Sequence, residues 1–175
     1  RKRYGGKNRA PQTRLASAAM IRDILFKAKE YARKEKAGES QEFRLELAAL
    51  SRVFDGMPVQ MAAMKANDME TAVRNGEEIG LNYVLTMAYD ASQVIRDLDR
   101  KDLRFIIGPL YGTSFSVEEN GKSLSLGAEL EKEGVHAAIC SGNPEMNVEI
   151  LSTQLILMSD RGLSRKEAIR GVTGY

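Results

Sequence analysis

Residues 80–110 read GLNYVLTMAYDASQVIRDLDRKDLRFIIGPL, and the fold turns on how that stretch divides. Tyr83 to Met87 is a short apolar run between Gly80 and Asp90, with the length and composition of a strand. Asp90 to Arg100 carries Val94, Ile95 and Leu98 at helical spacing, which predicts a helix. Leu103 to Ile107 is a second apolar run, closed by Gly108-Pro109. Strands joined through a helix are parallel neighbours, because a parallel pair needs a crossover connection of about a dozen residues or more.

The alternation continues in both directions. Pro58 to Ala62 reads as a strand, and Asn67 with Glu70 reads as a capping box for a helix lined by Met69, Ala72, Val73 and Ile79. After a polar loop over 110–122, a helix over 124–132 stops at Gly134 and Val135 to Cys140 forms the fourth strand. A helix over 145–161 should turn Val148, Leu151, Leu155 and Met158 inward, and Ser164 with Glu167 caps a last short helix. Two helices precede the first strand. One spans Ala16 to Lys36, with Met20, Ile21, Ile24, Leu25, Ala28 and Ala32 on one face, and ends at Gly38. The other, over 41–54, aligns Phe43, Leu47, Leu50 and Phe54. Strands separated by helices make the fold class α/β with a parallel sheet. Residues 1–15 read as a basic N-terminal segment and 16–175 as the α/β domain.

Composition adds bounds rather than direction. The chain has 175 residues, is 43% hydrophobic and 29% charged, and carries a net charge of +2, so no strongly charged partner is implied. The charge is uneven: Arg1, Lys2, Arg3, Lys7, Arg9 and Arg14 crowd the start, where weak nucleic-acid binding competes with a plain solvated terminus. One cysteine, Cys140, excludes an internal disulfide and fits a reducing, cytoplasmic setting. No apolar run has the length of a membrane span. The opening Arg and the pattern running up to Tyr175 read as a piece of a longer protein.

Residues able to do chemistry are scarce. His136 is the only histidine and lies in the apolar run of the fourth strand, so it reads as a satisfied core or edge residue. One His and one Cys cannot assemble a His/Cys zinc site, and no Ser-His-Asp or Cys-His pair escapes dependence on His136. Tyr4-Gly5-Gly6-Lys7 follows no strand and is no phosphate loop. The carboxylate pairs Glu77-Glu78 and Glu118-Glu119 read as solvated charge.

Several segments together resemble the imidazolonepropionase-like amidohydrolases. Pro11-Gln12-Thr13-Arg14-Leu15 is similar to that family's Pro-x-Thr-Arg-Met stretch. MPVQMAAMKANDMETAVRNGEEIGL, residues 57–81, resembles its Pro-Val-x-Ile-His-Ala-His-x-Ala-Asp-Asp segment and following helix. IIGPL, residues 106–110, resembles Val-x-Gly-Pro; EKEGVHAAICSGNPE, 131–145, resembles Lys-x-Gly-Val-x-Val-Ala-Ile-x-Thr-Asp-His-Pro; and GLSRKEAIRGVTGY, 162–175, resembles Gly-Leu-x-x-Glu-Glu-Ala-Leu-x-x-Ile-Thr. The order and spacing hold from about residue 11 to the end.

The resemblance implies the second half of a (β/α)8 barrel, four βα units preceded by two helices. It also implies metal-dependent hydrolysis of C–N bonds in cyclic or linear amides, with zinc or another divalent ion activating water. Carried over residue by residue, the two histidines of the first strand fall on Ala62 and Met64, the next strand's histidine on Met87, and the aspartate on Gly142. None of these donates to a hard cation. The resemblance therefore implies no catalytic residue, no metal ligand and no cofactor in this chain, and a catalytically silent binding or scaffold module. The alternative is an active enzyme whose ligands lie in an upstream half, including the family's His-x-His pair. Lys65, Asn67, Asp90, Ser141 and Asn143 are the candidates for lining a polar pocket at the strand ends, with a small-molecule ligand as a possible occupant. Four barrel strands leave two open edges. Pairing with another copy, pairing with the missing half of the barrel, or closure into an open three-layer sandwich would each cover them.

Overall fold

A computed structural model describes residues 11–100, 102–112, 114, 116–144 and 146–175. Arg1, Lys2, Arg3, Lys7 and Arg9 of the basic run lie outside the described residues, as does Glu145, the expected first residue of the long late helix. The described chain forms two compact bodies. One runs to Val59 and includes Val73–Asn82; the other comprises Gln60–Ala72 and Tyr83–Tyr175.

In the first body, Thr13 caps α1 (Arg14–Ala37) by accepting the Ala16 N–H, and Gly38 ends the helix in the left-handed conformation. A short α2 (Leu45–Ser51) runs into a 3₁₀ turn, Arg52–Asp55. Ala28, Tyr31 and Leu47 form the core between them, with Ile24, Ala48, Leu50 and Phe54 packed around it. The expected apolar face of α1 is therefore only half used: Met20 and Ile21 stay exposed, since seven-residue α2 covers only part of its partner. Phe43, placed on the face of a longer second helix, lies before α2 and is 73% exposed. Lys29 reaches the end of α3 (Ala66–Ile79), where its Nζ donates to the Ile79 carbonyl at 2.6 Å, and Arg22 pairs with Glu78.

The second body holds β1 (Val59–Ala62, from Gln60 onward), β2 (Tyr83–Thr86), β3 (Phe105–Ile107) and β4 (Ala137–Ile139) in one sheet of order β1-β2-β3-β4. Leu85 lies beside Phe105, and Phe105 beside Ala137, in parallel register. Ala63 donates to Thr86 as the first strand leaves the sheet. The strands are shorter than the runs that predict them, because Leu103, Val135 and Cys140 approach or leave the ladder without strand geometry.

Strand order carries the main result. It advances one neighbour at a time with no reversal, whereas a doubly wound three-layer sandwich requires a switch in direction. The three-layer expectation is thus replaced by the single-direction winding of a barrel. Crossovers of one hand deliver their helices to one face. There, α4 (Ala91–Leu98) packs on α5 (Leu126–Lys132), α5 on α6 (Leu151–Asp160), and α6 on α7 (Arg165–Thr173). Residues in register share a face, and the two faces differ. Leu85, Phe105, Ile107, Ala137 and Ile139 are buried, while Thr86, Ile106 and Ala138 remain half-exposed.

Two elements depart from the helix-cap expectations. Asn67 does not cap α3, which already begins at Ala66; Asn67 is inside the first turn, with its carbonyl accepting from Thr71 Oγ1. Lys65 takes the flanking position and cannot accept a hydrogen bond through its side chain. Ser164 does cap α7 by accepting the Glu167 N–H at 3.1 Å, but the Glu167 carboxylate turns away to His136. Toward the end of the chain, the helix expected from 145 starts later, with a 3₁₀ turn capped by Asn147 leading into α6. Val148 is exposed there, and Gln154 joins Met158 on the buried face.

The α7–β4 contact sets a tight test. A Cβ on Gly171 would stand 2.7 Å from Ile139 Cδ1 and 3.2 Å from the Ala137 carbonyl oxygen. Gly→Ala inside a helix ordinarily adds about 1 kcal/mol of stability. Here overpacking, about 1–3 kcal/mol, opposes it. Urea melts should show Gly171→Ala less stable than the parent, and Ile139→Val in the same chain should recover part of the loss. A stabilised Gly171→Ala protein would mean the helix stands farther from the strand than described.

Candidate functional site

In single-direction α/β winding, the loops after the strands gather at one end, where such folds build their sites. Those segments here are Ala63–Lys65 after β1, Met87–Asp90 after β2, Gly108–Gly112 after β3 and Cys140–Pro144 after β4. The positions to which the resemblance assigns metal ligands all fall in or beside them: Ala62 ends β1, Met64 lies two residues on, Met87 follows β2 directly, and Gly142 lies beyond β4. Ala62 is exposed, and Met64, Met87 and Gly142 are half-buried.

Of the polar candidates, the structure joins two. The Asp90 carboxylate accepts the Ala66 N–H at 3.2 Å through Oδ2, and the same oxygen lies 3.5 Å from Lys65 Nζ. Asp90 therefore adds a carboxylate from outside α3 to the Asp68 of the helix's own first turn, where the helix's positive end favours negative charge. Its other oxygen is walled in: a Cβ on Gly121 would stand 2.0 Å from Oδ1, so that approach requires a residue without a side chain. Ser141 is half-buried, while Asn143 and Asn67 are exposed. Among the described residues, no hydrogen bond or ion pair joins Ser141 or Asn143 to the Lys65–Asp90 pair.

Two further polar groups shape this end. Gln154, 1% exposed on α6, accepts the Leu110 N–H at 2.8 Å and the Tyr111 N–H at 3.3 Å, and donates to the Cys140 carbonyl at 3.2 Å. One side chain thereby ties the loop after β3 to the end of β4. Its sequence signal is positional: Gln154 lies four residues before Met158 on a face that is otherwise apolar. Glu119 overturns the solvated-charge reading of Glu118-Glu119. It is buried and pairs with Lys122 at 2.5 Å, with both side chains under a tenth exposed, and Lys122 also lies over the Tyr89 ring at 5.4 Å. Spacing i, i+3 was the available signal, hidden because the segment is a 3₁₀ turn, Val117–Gly121, inside a loop.

Gly142 is committed by its backbone. It has φ of +74°, and a Cβ there would stand 2.4 Å from Pro109 Cδ. The neighbouring Cys140 thiol is pushed up from its ordinary pKa by burial. His136 is at the opposite end of the sheet, ahead of β4, with Nδ1 2.6 Å from Glu167 Oε1 and its ring stacked on Tyr175, whose hydroxyl donates to Glu167 Oε2 at 3.1 Å. It is satisfied there and takes no part in the strand-end site. Among the described residues, no three His, Cys, Asp or Glu side chains are grouped to hold a metal ion.

No protein-family model matches the sequence, and no curated protein matches it. Among solved structures, the crystal structure of an amidohydrolase from Thermotoga maritima MSB8 is similar to this chain at 27% identity, with a TM-score of 0.90 over 98% of it. The fold is amidohydrolase-like. The chain spans about half of that structure, 46% of its length. The four parallel strands and their helices thus correspond to half of a (β/α)8 barrel, as the resemblance implies. No described helix is long and apolar enough to cross a membrane.

Two measurements probe this end. Glu119→Ala leaves Lys122 buried without its partner and should lower stability by about 3–5 kcal/mol in denaturant melts; Glu119→Ala with Lys122→Met should lose markedly less. Equal losses would show that the pair is open to water. Because burial holds Cys140 as the thiol, it should react with a disulfide reagent at pH 8 more slowly than a free cysteine does, and urea should abolish the difference. Free-cysteine rates in native protein would contradict that burial.

Proposed function

We propose that this chain is an amidohydrolase-like half-barrel that holds no catalytic metal of its own and acts as a binding or scaffold module. The observation that carries the reading is the backbone at Gly142. A ligand aspartate at that position would need a non-glycine residue at φ of +74° and a side chain overlapping the Pro109 ring. The chain has therefore built its loop around the missing side chain.

The remaining strand-end residues support the same view, because they do not fit a divalent ion. Ala62 has no donor atom, and the thioethers of Met64 and Met87 are soft ligands unsuited to a hard cation. Asp90 is the one carboxylate among the pocket candidates, and it is occupied by the α3 N-terminus and Lys65. Cys140 binds metal only as thiolate, and its burial opposes that form. What this end offers instead is the Lys65–Asp90 pair and, apart from it, the exposed Asn143 amide, groups suited to holding a partner rather than activating water.

The reading is tested by elemental analysis of protein produced with zinc and manganese supplied and then dialysed without chelator. Well below one metal ion per chain is expected. Gly142→Asp should restore no metal and should lower stability by about 1–3 kcal/mol through backbone strain alone, more with the Pro109 overlap. A stoichiometric ion in the parent chain, or tight zinc binding gained by a stable Gly142→Asp variant, would sink the proposal.

A further inference from the structure

Two Asn-Gly pairs occur in the sequence, Asn75-Gly76 and Asn120-Gly121, and the structure sets them in opposite surroundings. In such a pair the glycine nitrogen can attack the asparagine side chain, because no Cβ obstructs its approach. Asn75 is 8% exposed inside the 14-residue α3, where helical ψ keeps the following nitrogen away from the side-chain carbonyl carbon. Asn120 is exposed and lies in a single five-residue 3₁₀ turn, Val117–Gly121, whose hydrogen bonds have poorer geometry than those of an α-helix. Two other exposed asparagines, beyond β4, are blocked by their neighbours. Asn143 precedes Pro144, which has no N–H to lose, and Asn147 precedes the β-branched Val148.

The chain just after Asn120 is packed without slack. A Cβ on Gly121 would stand 2.0 Å from Asp90 Oδ1 and 3.3 Å from Tyr89 Cβ, and Lys122 lies over the Tyr89 ring at 5.4 Å. We propose that Asn120 is a site of spontaneous modification, where attack by the Gly121 nitrogen converts the Asn120–Gly121 link to an isoaspartyl bond and loosens the turn's packing on Asp90. The Gly121 amide loses its proton to hydroxide, and its nitrogen bonds to Asn120 Cγ. The Cγ–Nδ2 bond then breaks, ammonia leaves with a proton from water, and a five-membered succinimide remains. Water adds at one of the two ring carbonyls and the ring opens. Opening between Cγ and the nitrogen gives aspartate. Opening at the former peptide bond leaves the chain running through Cβ and Cγ, one atom longer, with the α-carboxylate free. The extra atom falls directly ahead of Gly121, where the contact with Asp90 leaves no room for even a Cβ. The new carboxylate also adds a negative charge next in the chain to the buried Glu119. None of these steps depends on the reading of the metal site.

The test is peptide mapping of the 175-residue chain after incubation at pH 8, with isoaspartate told from aspartate by an isoaspartyl methyltransferase. In the native chain, conversion at Asn120 is expected to exceed that at Asn75 by about tenfold or more, since only the 3₁₀ turn opens readily. In urea the two pairs should convert at similar rates. The Asn120→Gln variant should stay unmodified at this position, because its longer side chain would have to close a six-membered ring. Isoaspartyl protein, separated by ion exchange, is expected to unfold at a lower urea concentration than Asn120→Asp, which carries the same added charge on a backbone of ordinary length. A native chain in which Asn120 reacts no faster than Asn75 overturns the proposal. So does an isoaspartyl chain as stable as Asn120→Asp, which would show that the turn absorbs the extra atom without loosening from Asp90.

Discussion

Parallel strands cannot be joined by tight turns, and this constraint organises the second body of the molecule. Each strand must be followed by a crossover, and each crossover of the same hand lands on the same side of the sheet. The consequences are visible residue by residue. Leu85, Phe105, Ile107, Ala137 and Ile139 are sealed under a continuous layer of helices, while Thr86, Ile106 and Ala138, one position away in the same strands, are left half-covered. The same rule sends every strand-to-helix loop to one end. A helical layer, an open face, two strand edges and one end that gathers the strand-to-helix loops all follow from four parallel strands wound without a reversal.

At that end, the polar groups mostly hold the protein to itself. Asp90 closes the N-terminus of α3, Gln154 ties the β3 loop to the end of β4, and Glu119 holds Lys122 beneath the Tyr89 ring. Buried polar groups need partners, and an unpaired one costs about 1–3 kcal/mol. Here Asp90 Oδ2 is met by a backbone N–H and by a lysine, while Oδ1 is crowded by Gly121.

How much of this was legible follows from what each signal depends on. The alternation of strands and helices was readable because apolar periodicity depends only on neighbours in sequence, and Gly38 and Ser164 behave as local caps for the same reason. Strand order was legible only through family resemblance, since pairing is a long-range choice. The failures share one cause. Asn67 has the chemistry of a cap, but Asp90, 24 residues away, supplies the carboxylate from the next loop. Met20, Ile21 and Phe43 have the right spacing, but among the described residues α2 is too short to cover them. Gln154 and Glu119 look like surface residues because composition carries no information about what lies above a helix face or a loop. Of the site candidates, Lys65 and Asp90 come together as a pair, and Asn67, Ser141 and Asn143 do not join them.

The positions to which the resemblance assigns metal ligands differ in how readily they would take a donor. At Ala62 and Met64, where the resemblance places histidines, the backbone has no positive φ and a single substitution could introduce a donor. At Gly142, where the resemblance places an aspartate, the left-handed conformation and the Pro109 ring against it leave no volume for a Cβ. The ring is itself fixed by the β3–β4 junction, where Cys140 donates to Ile107 and Gln154 holds both loops. Restoring an aspartate would therefore require moving Pro109, and with it the Leu110 and Tyr111 amides that Gln154 binds. A loop coupled in this way to the buried side of α6 resists such a change as a unit, which is why the proposed reading rests on Gly142 rather than on Ala62 or Met64.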